Sequence, residues 1–127
     1  MSWTPHNIKL TGIASRAIIW IHMSALTELY REISCCRECE LANYRNKVVP
    51  GEGAEDAKIV FIGEAPGWYE DQQGRPFVGP AGKFLDQLLA SINLRREEVY
   101  ICNVIKCKPP ENRDPLPTEI RACQEWL

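Results

Sequence analysis

Six cysteines, Cys35, Cys36, Cys39, Cys102, Cys107 and Cys123, are the residues in this sequence most able to do chemistry together. Cys36-Arg-Glu-Cys39 is a C-x-x-C pair, and Cys107 and Cys123 make a second, wider pair at the two ends of a proline-rich stretch. Four thiolates of this kind can hold a 4Fe-4S cluster or a tetrahedral zinc. The wide second spacing departs from zinc ribbons, which repeat a tight C-x-x-C, but spacing alone leaves iron and zinc both open. The bland alternative is a set of inert cysteines packed as small hydrophobes. Cys102 fits that description, because it falls mid-strand with Tyr100 and Val104 on the same face. Cys35 adjoins Cys36, and the C-x-x-C spacing selects Cys36 as the chelating residue.

A second constellation lies at two predicted strand ends. Glu64 follows one strand directly and Asn103 sits near the end of another. In open parallel sheets ligands bind beyond the carboxyl ends of the strands. A carboxylate there can orient water or stabilise a developing cation. An Asn amide offers an acceptor and two donors, which matches the O4 and N3–H edge of uracil and mismatches cytosine. The competing readings are a solvated loop charge and a local backbone cap. Between them, Phe77 stands in the turn-rich Gly74-Arg-Pro-Phe-Val-Gly79 as a stacking platform for an exposed base, or as a loop anchor. Gly79-Pro-Ala-Gly82-Lys83 hints at a phosphate loop but fails the test. Phe77 occupies its first glycine position and Phe84 its hydroxyl position.

These residues need elements to position them. Ser24 is a candidate N-cap for a helix carrying Leu26, Leu29, Tyr30 and Ile33 at helical spacing. Residues 51–56 read as a turn, and residues 58–62 as a short buried strand ending at Gly63. Residues 64–79 read as a long polar loop, a kind that is usually functional. A helix from Ala81 to Asn93 carries Phe84, Leu85, Leu88, Leu89 and Ile92 on one face. A second strand follows at 99–105, so strand, helix and strand form a βαβ unit with parallel strands. Residues 108–117 hold four prolines and exclude regular structure. A last helix begins near Pro117 and carries Ile120, Cys123 and Trp126.

Composition sets the outer limits. The 127 residues carry 15 basic and 17 acidic side chains, a net charge of −2, with 45% hydrophobic residues. That is an ordinary globular balance for one domain. It argues against nucleic-acid binding by bulk charge, so any such contact must be local. The longest apolar run, residues 17–21, is too short for a membrane span or a signal core. The expectation is a cytoplasmic protein with no membrane association. Residues 1–22 look unlike the rest, with Pro5 and Gly12 interrupting them. They are read as an atypical extension, with Met23 as a candidate natural start.

Taken in order, Cys36–Cys39, VVPGEG (48–53), IGEAPG (62–67), GRPFVG (74–79) and VYICNVIKCKPPENR (99–113) with Leu116-Pro117 resemble the iron–sulfur, family-4 type of uracil-DNA glycosylase. The resemblance runs from about residue 36 to 127. It implies a three-layer α/β/α fold with a parallel sheet, of which residues 23–127 form the N-terminal portion. It also implies a 4Fe-4S cluster on Cys36, Cys39, Cys107 and Cys123, with zinc as the alternative. By position, Glu64 corresponds to the catalytic acidic residue and Ala65 to a backbone contact with uracil. Glu70 corresponds to the acidic residue that crowds C5 and excludes thymine. Phe77 corresponds to the stacking aromatic, and Asn103 to the uracil-reading amide. Asn112 matches a motif position and receives no role.

The implied activity is hydrolysis of the N-glycosidic bond of deoxyuridine in DNA, in base excision repair, by a monomer acting on uracil-containing DNA. Trp68-Tyr69 replaces residues that are commonly polar or acidic in the family's catalytic loop, a departure that bears on substrate range. The family's His-Pro motif has no counterpart, since the only histidines are His6 and His22. The chain therefore reads as truncated at its C-terminus, with weak or no activity expected. Lys106, Lys108 and Arg113 are candidate phosphate contacts. The competing class is a non-catalytic, metal-stabilised nucleic-acid-binding module related to a phage polymerase-associated domain.

Overall fold

The computed structural model describes residues 24–127, so the predicted extension over 1–22 and the start at Met23 lie outside the described residues. The first helix, α1 (Ala25–Ser34), begins where expected: the Ser24 side chain accepts a hydrogen bond from the Thr27 N–H at 3.2 Å. Its inner face is the predicted one. Ile33 is buried, and the Tyr30 hydroxyl lies 2.7 Å from that of Tyr100, joining the helix to the sheet.

The sheet has three strands in the order β1-β3-β2, where β1 is Glu52–Gly53, β2 is Val60–Gly63 and β3 is Tyr100–Asn103. β2 and β3 are parallel, with Val60 opposite Tyr100 and Gly63 opposite Asn103. This is the α/β arrangement that the βαβ pattern predicts. β1 corrects the reading of residues 51–56 as a turn: two of them pair antiparallel with β3 and make the sheet mixed.

Residues 64–79 are not one loop. Trp68–Gln73 forms a helix, α2, closed by left-handed Gly74. The crossover helix α3 (Pro80–Ser91) starts with proline at its first position and ends before Asn93, which takes a left-handed conformation (φ 58°). Only part of its predicted apolar face is covered. Leu89 is buried against Val99 and Ile101, with Leu85, Phe61 and Phe77 packed around them, while Phe84, Leu88 and Ile92 are exposed. β2 departs from the expected buried strand in the same way. Phe61 faces this core, and Ile62 on the opposite face is 54% exposed.

A second core gathers Leu41, Ile105, Cys107 and Cys123, with Cys39, Val48 and Trp126 against it. It is closed by α4 (Pro117–Cys123), which starts at the predicted proline. The Glu119 carboxylate accepts from the Leu116 N–H at 2.8 Å and from Arg113 at 2.6 Å.

Candidate functional site

The carboxyl ends of β2 and β3 are locked together beyond the strands themselves. The Val104 N–H donates to the Gly63 carbonyl at 2.8 Å, and the Ile105 N–H donates to that of Glu64 at 3.1 Å. This ladder fixes the backbone that carries Glu64 and Ala65 beside Asn103. A cleft of about 470 Å³ opens there, and Glu64, Ala65, Glu70, Phe77 and Asn103 all line it. Four separate stretches of chain therefore bring the five residues expected at the site to one place.

Gly63 explains how close they come. A β-carbon at this position would lie 2.6 Å from the Phe77 ring and would collide with the Asn103 side-chain oxygen. Only a residue without a side chain lets the aromatic ring and the amide meet over the strand end. Asn103 is 2% exposed, and among the described residues no group hydrogen-bonds its side-chain amide. Its polar atoms open onto the cleft, where one acceptor and two donors can pair with a group that enters it.

Glu70 is held differently. One carboxylate oxygen accepts from the Val78 and Gly79 N–H groups, both at 3.0 Å, and the other accepts from the Gly67 N–H at 3.1 Å. Its position in the cleft wall is set by three backbone donors from both ends of its own loop. Neighbouring Asp71 is buried and accepts from the Asn46 side chain at 2.6 Å and the Asn46 N–H at 2.9 Å, anchoring α2 from below. Trp68 and Tyr69 stand edge to face, with ring centroids 5.1 Å apart, at the exposed lip of the same cleft.

The basic residues of the proline-rich stretch are largely occupied. Lys106 is 2% exposed and donates to the Asn103 carbonyl at 2.7 Å. Burial holds its ammonium below the ordinary lysine range. Arg113 is paired with Glu119. Lys106 is the correction, because the stretch after β3 turns inward to close the second core, whereas Arg113 keeps a place in the cleft lining. Of the three expected phosphate contacts, Lys108 keeps its ammonium near the surface, donating to the Pro109 carbonyl at 3.2 Å.

Cys36, Cys39, Cys107 and Cys123 wall a second pocket, while Cys35 is exposed and Cys102 is packed in the sheet. Burial pushes the Cys123 thiol up to about 11 and raises that of Cys107. Among the described residues no three His, Cys, Asp or Glu side chains are set to hold a single metal ion. The donor set nonetheless fits a sulfur cluster. Arg45 Nη1 lies 3.2 Å from Cys107 Sγ, a donor suited to a thiolate. The Trp126 indole N–H, from the same pocket wall, is buried with no partner among the described residues. Sequence reasoning missed both, because neither Arg45 nor Trp126 stands in a motif with the cysteines. The Pro110–Asn112 turn beside the cleft holds Glu111 and Asn112 in left-handed conformations (φ 57° and 53°). Strain of this sort clusters at functional sites.

Comparison with known proteins accords with this geometry. Residues 50–127 match the family model of the uracil DNA glycosylase superfamily. The chain is 56% identical over 105 residues to a type-4 uracil-DNA glycosylase of Archaeoglobus fulgidus, covering 83% of this chain and 53% of that relative. It is 50% identical over 106 residues to the type-4 uracil-DNA glycosylase of Sulfurisphaera tokodaii, covering 83% and 48%. The identity to that of Thermotoga maritima is 52% over 103 residues, covering 80% and 54%. The chain spans about half the length of these curated relatives.

Proposed function

Because the chain belongs to the uracil DNA glycosylase superfamily, we propose that its cleft takes the uracil of a deoxyuridine flipped out of DNA and serves hydrolysis of the N-glycosidic bond. One observation carries this reading: Glu64, Phe77 and Asn103 share a cleft at the carboxyl ends of two parallel strands. The type-4 relatives favour an excising enzyme over a non-catalytic binding module.

In this reading the flipped base stacks on Phe77. Extrusion from the duplex costs a few kcal/mol in lost stacking. The Asn103 amide donates to uracil O4 and accepts from N3–H, a pairing that cytosine reverses. The backbone at Ala65 contacts the base, and Glu70 crowds C5, where thymine carries its methyl group. As the bond breaks, the sugar acquires oxocarbenium character and the base leaves as an anion. Glu64 stabilises the cation or orients the attacking water. Trp68 and Tyr69 offer stacking surface for a base next to the flipped one.

Cys36, Cys39, Cys107 and Cys123 would hold a 4Fe-4S cluster. Four thiols around one pocket supply one ligand for each iron of such a cluster, and zinc is the alternative. When bound, the cluster supplies cross-links between distant segments and takes no part in the excision step. The partner is uracil-containing DNA, met by a monomer in the cytoplasm. Among the described residues no helix is long and apolar enough to cross a membrane.

The test is uracil release and binding, using single-stranded oligonucleotides that differ only in one deoxyuridine or thymidine. The expected result is preferential binding of the deoxyuridine strand. Any uracil release should disappear in Glu64→Gln. Equal binding of the two strands overturns the reading.

A further inference from the structure

Arg96 lies outside the cleft and matches none of the sequence motifs, yet its guanidinium is the most heavily used side chain in the described structure. It is 17% exposed. Its Nε donates to Glu52 Oε1 at 3.2 Å. Its Nη2 donates to the same oxygen at 2.6 Å and to the Pro76 carbonyl at 2.8 Å. Its Nη1 donates to Asp86 Oδ1 and to the Phe77 carbonyl, each at 3.0 Å. Five donors thus make five hydrogen bonds, which exhausts the fork of an arginine.

The two carboxylates come from β1 and α3 and neutralise the charge. The two carbonyls belong to consecutive residues of the cleft loop. A stabilising ion pair alone would need only the former.

What those carbonyls fix is an unfavourable backbone. Phe77 has φ 50°, in the left-handed region that a bulky L-residue rarely enters. On its other side, Gly82 of α3 presses its Cα against the Phe77 carbonyl so closely that any β-carbon there would overlap it. The peptide after Phe77 is therefore held between the Gly82 backbone and the Arg96 fork. The side chain that emerges from this clamped backbone packs its ring over Gly63, next to Asn103.

We propose that Arg96 is a positioning residue for base recognition: by holding the Pro76 and Phe77 carbonyls it fixes the left-handed Phe77 backbone and so places the aromatic ring beside the Asn103 amide. The inference rests on the uracil reading of the cleft for its ligand, but not for the clamp itself. Lysine keeps the charge and loses the fork. A compact ammonium cannot serve four groups on three elements at once.

The experiment uses the full chain labelled with 4-fluorophenylalanine, whose three sites, Phe61, Phe77 and Phe84, give separate fluorine resonances assigned by single Phe→Leu variants. Free uracil is the probe, titrated into wild type, Arg96→Lys and a control, Val49→Ala. The control loosens a buried residue that lines neither the cleft nor the cysteine pocket.

Wild type is expected to show one sharp Phe77 line that moves with uracil. In Arg96→Lys that line should broaden or split, and uracil affinity should fall by about tenfold or more, the scale of one lost hydrogen bond to a charged group. Val49→Ala should keep both wild-type properties even where its thermal midpoint falls as far. A Phe77 line and a uracil affinity in Arg96→Lys equal to wild type overturn the proposal. If wild type shows no response to uracil, the uracil reading is what fails. The Phe77 line then decides the clamp alone: loosened in Arg96→Lys upholds it, and unchanged rejects it.

Discussion

Asn103 shows how a single side chain can be selective. Most of the residue is buried, and its amide has no protein partner among the described residues. Its acceptor and donors open onto the cleft, so a ligand there can pair with them. Because Gly63 lets the Phe77 ring and this amide crowd together, the amide has little room to turn over. Orientation is what separates uracil from cytosine, since the two bases present opposite patterns at the same edge. Asn103→Asp keeps the shape and replaces the donors by acceptors. It is expected to weaken deoxyuridine binding by about 1–3 kcal/mol, the range for losing one well-made pair with a base. Oligonucleotide titration checks this, with the thymidine strand as reference. A deoxyuridine affinity unchanged by the substitution would show that Asn103 does not read the base.

At the scale of elements, β1 matters more than its two residues suggest. It carries Glu52, whose carboxylate accepts from Arg75 at 2.8 Å and from Arg96 at 2.6 Å. Burial works to raise its pKa, but the hydrogen bonds and charges of the two arginines overcome it and hold the carboxyl below its ordinary 4.5. A carboxylate depressed on folding contributes stability that is complete above the unfolded value and is lost as pH falls through the folded one. Acid unfolding should therefore steepen below about pH 4.5. Glu52→Gln should cost about 1–3 kcal/mol at neutral pH and flatten that limb of the stability curve, as denaturant titrations between pH 3 and 7 would show.

The same strand shows where sequence reading stops. The parallel β2–β3 pair, the α3 crossover, the Ser24 cap and the Pro117 start were legible because apolar spacing and capping residues are local signals. β1 was not, since Gly51-Glu52-Gly53 has turn composition and becomes a strand only by pairing with β3. α2 was hidden for the same reason, in a polar stretch anchored by Asp71 to Asn46. The cleft residues were legible through their motifs. Arg96 and Arg45 were not, because their partners lie far away in the chain.

For the whole molecule, the four thiols matter because they join α1's end, the stretch after β3 and the last turn of α4 around one core. Metal binding adds its free energy to the folding of segments joined in this way. Anaerobically prepared chain should carry iron at four per protein by the stoichiometry of such a cluster. Cys107→Ser should lower both the iron content and the thermal midpoint, and an unaltered iron content would remove Cys107 from the ligand set.

Two other surfaces of the molecule have no such closure. β2 is an edge strand among the described residues, and Val60 and Ile62 on its outer face are about half exposed. Phe84, Leu88 and Ile92 are also exposed, on the α3 face that the core leaves uncovered. Parallel strands normally have both faces covered, and an uncovered apolar edge templates association with another chain. The chain, a monomer when dilute, should therefore self-associate as its concentration rises. Ile62→Glu combined with Phe84→Glu should raise the monomer fraction in sedimentation velocity while leaving the circular dichroism spectrum unchanged, because neither side chain contributes to the two cores. Association that persists undiminished in the double variant would place the sticky surface elsewhere, with the exposed Trp68–Tyr69 pair at the cleft lip the next surface to test.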